Sequence, residues 1–368
     1  MKNLKKVLAL VLACTMVFGL VATASTGYPD VADDATYAEA VKTLSALKIL
    51  QGDENGNFNP DATITRAEMA KILCTMVKSG ELAPTATKFA DVAADHWAGG
   101  YIAYAQQLGY IDGYDATTFG PEDPVTYEQV VKLIMAALNY TYVAEQNGGY
   151  PTGYLFAAAD VDVTKGVSIT KGSDPAPRST VAVLVNNAMN APIMERTTYG
   201  TESVWEKMDG TGTKAFKSLL TERHKTYKVE GKVTDSYKQN TNKKDGFVDV
   251  NITKTLKIDV ENVLNASPVD ADKNNIVDYY RLINVDATGT DAADLIGYEC
   301  VMYFQETDGG DYALVAIARK SVKNVEIVLS DVSQAYDSSK DSGVRTNDLP
   351  SLKQFSYWND SRRTRTTC

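Results

Sequence analysis

The sequence predicts a multidomain α+β chain: an N-terminal all-α bundle of three helix-loop-helix repeats, followed by an antiparallel β domain. Three observations lead there. The chain aligns with itself at an offset of 61 residues over positions 28–77 and 89–138 without a gap. Beyond residue 226, segments alternate apolar and polar residues with period two. The length of 368 residues suits two or three folding units at about 150 residues each. Lys+Arg of 37 against Asp+Glu of 47 gives a net charge of −10, which disfavours nucleic acid and anionic lipid as partners. With two histidines in the whole chain, His96 and His224, neither metal nor proton-transfer chemistry is indicated. The expectation is a non-enzymatic protein with no cofactor and no metal.

Residues 1–24 carry Lys2, Lys5 and Lys6, then an apolar run from Val7 to Val21, then Ala22-Thr23-Ala24. This is the pattern of an export signal cleaved after Ala24. The run is shorter than the roughly 20 residues that span a bilayer. Val11-Leu12-Ala13-Cys14 allows a lipoprotein alternative, but the residues after Cys14 stay apolar. The mature chain keeps Cys74, Cys300 and Cys368, widely spaced and matching neither a disulfide framework nor a CxxC metal site. An exported, extracellular product without a membrane helix is expected.

The repeats occupy residues 28–82, 88–142 and, in degenerate form, 146–194. Tyr28-Pro29-Asp30-Val31 falls on Phe89-Ala90-Asp91-Val92, and Gly52, Phe58, Pro60 and Thr65 fall on Gly113, Phe119, Pro121 and Thr126. In the third copy, Val163-Thr164-Lys165-Gly166 resembles Tyr110-Ile111-Asp112-Gly113, and Arg178 to Met189 lies 112 residues after Arg66 to Val77. Each copy opens on an amphipathic helix, for which Tyr37, Val41, Leu44 and Leu47 give the first stripe. A Gly-rich turn follows, then a loop tied back by Phe58 and Pro60. The second helix carries Met69, Ile72, Leu73 and Met76 on one face. One such pair cannot bury both stripes alone, so the copies should pack together.

Thr65 and Glu68 have the spacing of a capping box, and Thr126 and Gln129 repeat it. A cap accounts for these four without a ligand. Arg66 is different, because a cation in the first turn opposes the helix dipole. Two readings remain open. Arg66 pairs with a nearby acid, such as Asp61 or Asp30, or it serves an anion drawn to free N–H groups at the helix start. Arg178 stands at the equivalent place in the third copy.

Ile64-Thr65-Arg66-Ala67-Glu68, the aromatic-x-Asp-Val starts, His96-Trp97-Ala98 and the Gly-loop-Phe-x-Pro turns resemble S-layer homology (SLH) domains over residues 28–194. The resemblance implies three units in a pseudo-threefold bundle. The grooves between them would bind secondary cell wall polysaccharide of a Gram-positive envelope, acidic and often pyruvylated. It nominates Arg66 with Thr65, Asp30 and Asp91, and Trp97, with Arg178 as a weaker second site. On its own residues, Trp97 is more simply a core indole. The second copy has Tyr127 in place of the arginine, which argues against an anion in its groove.

Residues 195–226 are polar with a Gly/Thr-rich stretch and suggest a linker. Segments Tyr227 to Val233, Phe247 to Ile252, Leu256 to Val260, Tyr298 to Phe304 and Tyr312 to Ala318 alternate as strands of a β domain over 227–350, sandwich or barrel. Asp270, Asp272, Asn274 and Asp278 resemble part of a calcium loop, but Asn275 and Arg281 break the pattern, leaving a solvated loop. Glu230 and Asp249 are taken as solvent-face residues rather than an acid/base pair. The basic tail, 351–368, is expected to be disordered. The expected function is a cell-surface or S-layer-type protein anchored through its repeats, with possible self-association into a layer. A surface enzyme acting on polysaccharide and an adhesin are the alternatives.

Overall fold

The computed structural model describes residues 27–77, 80–168, 171–199, 202–212, 214–255, 258–320, 356–359 and 364–367. The expected export signal, residues 1–24, and Cys368 lie outside them. The chain is helical first and β-rich second, in two compact units, Met1–Ala318 and Arg319–Cys368.

Helices α1 (Ala38–Ala46), α2 (Arg66–Met76), α3 (Gly99–Gln107), α4 (Tyr127–Ala137), α5 (Thr141–Gln146), α6 (Thr152–Asp160) and α7 (Arg178–Asn190) form the first half. The apolar stripes of the sequence face one core: Val41, Leu44, Met69, Leu73, Met76, Ile102, Val130, Ile134, Val181 and Val185 are fully buried. Phe58 and Phe119 plug the loops between helices. Capping boxes start α2 and α4. Thr65 Oγ1 accepts from Glu68 N at 3.2 Å while Glu68 Oε2 accepts from Thr65 N at 2.8 Å.

A cyclic set of contacts joins the three longest helix starts. Arg66 N and Ala67 N donate to the carbonyls of Asp123 and Pro121, both at 2.9 Å. Tyr127 N and Glu128 N donate to Asp174 and Gly172 at 3.1 and 3.0 Å. Arg178 N and Ser179 N return to Ala62 and Pro60 at 2.7 and 2.9 Å. Bridges Thr65–Pro124, Thr126–Pro175 and Pro177–Thr63 run in the same order. Each helix start therefore docks on the loop that precedes the next, and the last docks on the first.

Residues 195–226, expected to link, are folded. β1 (Met194–Tyr199) pairs antiparallel with β2 (Glu202–Lys207), and a short α8 (Leu219–His224) follows. Leu219 and Leu220 enter the helical core, and buried His224 donates from Nε2 to the Met76 carbonyl at 3.0 Å. Scattered apolar residues among polar ones hid this packing from the sequence.

The β half is a barrel. β3 (Thr226–Ser236) lies between β4 (Phe247–Thr255) and β7 (Glu299–Glu306), and β7 neighbours β8 (Tyr312–Arg319). β8 meets β6 (Tyr279–Asp286) in parallel at Ala313 and Asp286, and β6 pairs back onto β4, closing the ring. β5 (Ser267–Val269) occupies the other end of the same β6 edge, and a short α9 (Val260–Leu264) precedes it. The bulge between Glu230 and Gly231 sits where a side chain at 231 would strike the Asn251 carbonyl. Val229, Val233, Val250, Met302, Phe304 and Ile317 fill the interior.

β7 is buried on both faces, since Cys300, Met302 and Phe304 point into the barrel while Val301 and Tyr303 join the helical core. At that seam Lys228 Nζ lies 3.3 Å from Glu39, the Tyr303 hydroxyl donates to the same carboxylate at 3.4 Å, and Lys42 pairs with Asp291 at 2.8 Å. Within the second unit, β9 (Ser356–Asn359) and β10 (Thr364–Thr367) pair antiparallel where disorder was expected. Their Tyr, Trp and Thr residues favour extended backbone.

Candidate functional site: furrows between the helical units

Arg66 leaves the first turn of α2 and crosses to the preceding loop of α4. Its Nε donates to the Phe119 carbonyl and its Nη2 to the Asp112 carbonyl, both at 2.7 Å. The guanidinium carbon lies 4.4 Å from the Tyr114 ring centre and 4.6 Å from that of Phe119. Only 5% of Arg66 is exposed. Burial lowers its pKa, partly offset by Tyr114, Asp123 and Asp91. Neither Asp61 nor Asp30 is its partner; it holds two carbonyls of the next unit. The N–H groups of the α2 start, expected to be free for an anion, are already taken by Asp123 and Pro121.

Arg178 repeats the arrangement on the first unit. Its Nη2 donates to the Gln51 carbonyl, its guanidinium lies 5.2 Å from the Phe58 ring centre, and its Nη1 is 3.7 Å from Glu68. Gln51 and Phe58 match Asp112 and Phe119 at the offset of 61. The Arg178 side chain is 14% exposed and reaches solvent beside Glu68. Glu68 therefore caps α2 and also faces the next cation.

Asp30 and Asp91 hold their own loops. Asp30 accepts from Phe58 N at 2.9 Å and Asn59 N at 2.6 Å. Asp91 accepts from Phe119 N at 2.9 Å and Gly120 N at 2.7 Å. Burial alone would raise the Asp91 pKa, but those N–H donors outweigh it and keep it below the usual carboxylate range. Thr65, Thr126 and Gln129 are occupied as caps.

Trp97 is no core indole, since 46% of it is exposed. Its ring stacks on His96 at 5.8 Å, and the His96 Nδ1 accepts from Ala98 N at 3.1 Å. A local turn presents the indole to solvent beside the α3 start. The sequence reading missed its counterpart. Gly100-Tyr101 and Gly113 align with Gly153-Tyr154 and Gly166 at an offset of 53, which sets Tyr150 on Trp97. Tyr150 is 47% exposed, and its phenol lies near the Thr126 side chain at the α4 start. Lys132 Nζ lies 5.7 Å from the Tyr150 ring centre, and no described carboxylate forms an ion pair with it. The unit that lacks the arginine thus has another cation at its furrow.

The other charged residues singled out in the sequence are occupied. In the 270–278 loop, Asp270 accepts from Asn274 N and Asn275 N, and Asp278 accepts from Ala271 N. Glu230 faces Lys254 at 3.7 Å, and Asp249 binds Lys243 at 2.6 Å. Among the described residues no cluster of three His, Cys, Asp or Glu suits a metal ion, and no helix is long and apolar enough to cross a membrane.

Residues 27–70 and 88–131 match the family model of the S-layer homology domain. The chain is 33% identical over 202 residues to a "Cell surface protein" of Thermoanaerobacter kivui, covering 53% of this chain and 26% of that protein. It is 30% identical over 207 residues to a "Middle cell wall protein" of Brevibacillus brevis, covering 55% and 19%. A "Surface layer protein" of Brevibacillus choshinensis is 30% identical over 172 residues, covering 46% and 15%. The chain spans about a quarter or less of the length of these relatives.

Proposed function

We propose that this chain, an S-layer homology repeat protein by its residues 27–70 and 88–131, is an exported cell-surface protein held non-covalently to wall polysaccharide by its helical half. A third, diverged repeat completes the bundle in this reading, supported by the return of Arg178 onto Gln51 and the bridge from Pro177 to Thr63. The observation that carries the reading is the pair of exposed aromatic rings, Trp97 and Tyr150, at equivalent places beside successive helix starts. Such rings pack on the apolar face of a pyranose, and leaving them in water gains nothing for folding.

The roles divide accordingly. Trp97 and Tyr150 touch the sugar. Lys132 and the solvent edge of Arg178 supply positive charge for an acidic polymer, pyruvylated or otherwise. Arg66, Asp30, Asp91 and the Thr65 cap fix the furrow walls and act through position. The β half stands outside the wall as a non-catalytic partner, and self-association into a surface layer fits the names its relatives carry.

The test is sedimentation of purified mature chain with wall sacculi before and after the polymer is stripped. Binding to intact sacculi alone, weakened by Trp97→Ala and by Tyr150→Ala, is the expected result. Equal retention on stripped sacculi overturns the proposal.

A further inference from the structure

The barrel has a mouth where the β3–β4 loop meets the connection from β6 to β7. A cavity of about 220 Å³ opens there, lined by Tyr237, Asp245, Gly246, Thr288, Gly289 and Ala293 among others. That falls below the ~300 Å³ at which drug-sized sites begin, and suits one small ring with a little water. We propose that this mouth is a second carbohydrate site, one that takes a single uncharged sugar ring, a hexose or its N-acetylamino form. It is independent of the furrows between the helical units and does not rest on their reading.

The walls are braced and the recognition groups are not. Ala287 N donates to the Gly246 carbonyl at 2.9 Å, Tyr237 N to Phe247 at 3.1 Å, and both Thr290 N and its hydroxyl to Ala287. A short 3₁₀ turn (Ala292–Asp294) closes one side, with Ala292 N on the Thr290 hydroxyl. Within this frame no described residue hydrogen-bonds the Asp245 carboxylate or the Tyr237 hydroxyl. Next to Tyr237 in the chain, the Ser236 hydroxyl is buried without a hydrogen-bond partner, and Ser236 pairs in register with Val248 of the lining.

Those groups select the ligand class. A carboxylate accepts from two adjacent hydroxyls, and a phenol offers a ring face with a donor at its edge. The one charged side chain of the lining is the Asp245 carboxylate, which disfavours an anion, and a lining rich in Thr and backbone disfavours a hydrocarbon. Gly289, with φ +83° and open space where a side chain would begin, lets a ligand approach the main chain. Mouths of β-barrels are a recurrent place for such sites.

The experiment is calorimetric and saturation-transfer titration of the full mature chain with methyl glucoside, N-acetylglucosamine, glucosamine and propylamine. Millimolar binding of the first two is expected, with Asp245→Asn weakening it about tenfold or more. Ala293→Phe, which fills the mouth and removes no hydrogen bond, should abolish this binding. Circular dichroism on each variant separates lost binding from lost fold, and Asp245→Asn, an isosteric change at the rim, carries the test if the Phe variant unfolds. The proposal is overturned if neither neutral sugar binds at tens of millimolar, if binding survives both barrel variants, or if only the amines bind.

Discussion

At the scale of the residue, Arg66 shows how a side chain that a helix does not want is retained. Its charge opposes the dipole of α2, yet two carbonyls and two aromatic rings receive it. Arg66→Ala should lower unfolding free energy by about 2–4 kcal/mol in urea titration, since it strands buried carbonyls that a charged donor now satisfies. Arg178→Ala should cost less, about 1–2 kcal/mol, because its guanidinium is partly wet. Asp91 sets an acid limit. Its folded pKa is depressed, so its stabilisation is present above the ordinary value of ~3.9 and is lost as pH falls below it. Asp91→Asn should flatten the pH dependence of the melting temperature below about pH 4, measured against wild type. The caps were legible in the sequence because a capping box joins residues three apart. The partners of Arg66 were not, because they are carbonyls 46 and 53 residues away and every residue has a carbonyl.

At the scale of the element, helix placement follows from stripe and cap, and Thr65→Ala should cost about 1 kcal/mol by thermal or chemical unfolding. α7 begins at Pro177 without a side-chain cap, and its first N–H groups rely on Pro60 and Ala62 instead. The third unit was harder to place from sequence for that reason. The match of Val163–Gly166 to Tyr110–Gly113 already implies an offset of 53, but carrying it back to Tyr150 and Trp97 needs the intervening helix to keep its length, which only the fold shows. Period-two alternation placed β3, β4, β7 and β8 but missed β6, whose single parallel pair between Asp286 and Ala313 closes the barrel. The strand expected at Leu256 to Val260 is not formed over its described part, because the Asp259 side chain caps α9 from Val260 onward. The double-sided burial of β7 was visible in principle as an unbroken apolar run, Cys300 to Phe304, but its second partner was not named there.

At the scale of the whole first unit, the seam between α1 and β7 joins what the sequence suggested were tethered domains. Tyr303 is fully buried there, and Tyr303→Ala should cost about 3–5 kcal/mol. Helical and β signals should melt in one transition in the wild type and separate in that variant, as read by amide hydrogen exchange of the helical and barrel segments. Lys228 supplies an alkaline counterpart to Asp91. Burial pulls its pKa down, but Tyr303 and Glu39 outweigh that and raise it. The stabilisation is therefore present below the unfolded value of ~10.4 and is lost as pH rises beyond it. Lys228→Met should remove that alkaline loss in melts taken between pH 9 and 11, values bracketing the unfolded pKa of about 10.4.

The cyclic docking of the three helix starts also fixes a stoichiometry. An open solenoid can gain or lose a copy at either end and keep every remaining interface. Here three helix starts meet three loops in a closed ring, so excising any one leaves two raw surfaces facing each other. A fourth copy would find no vacancy.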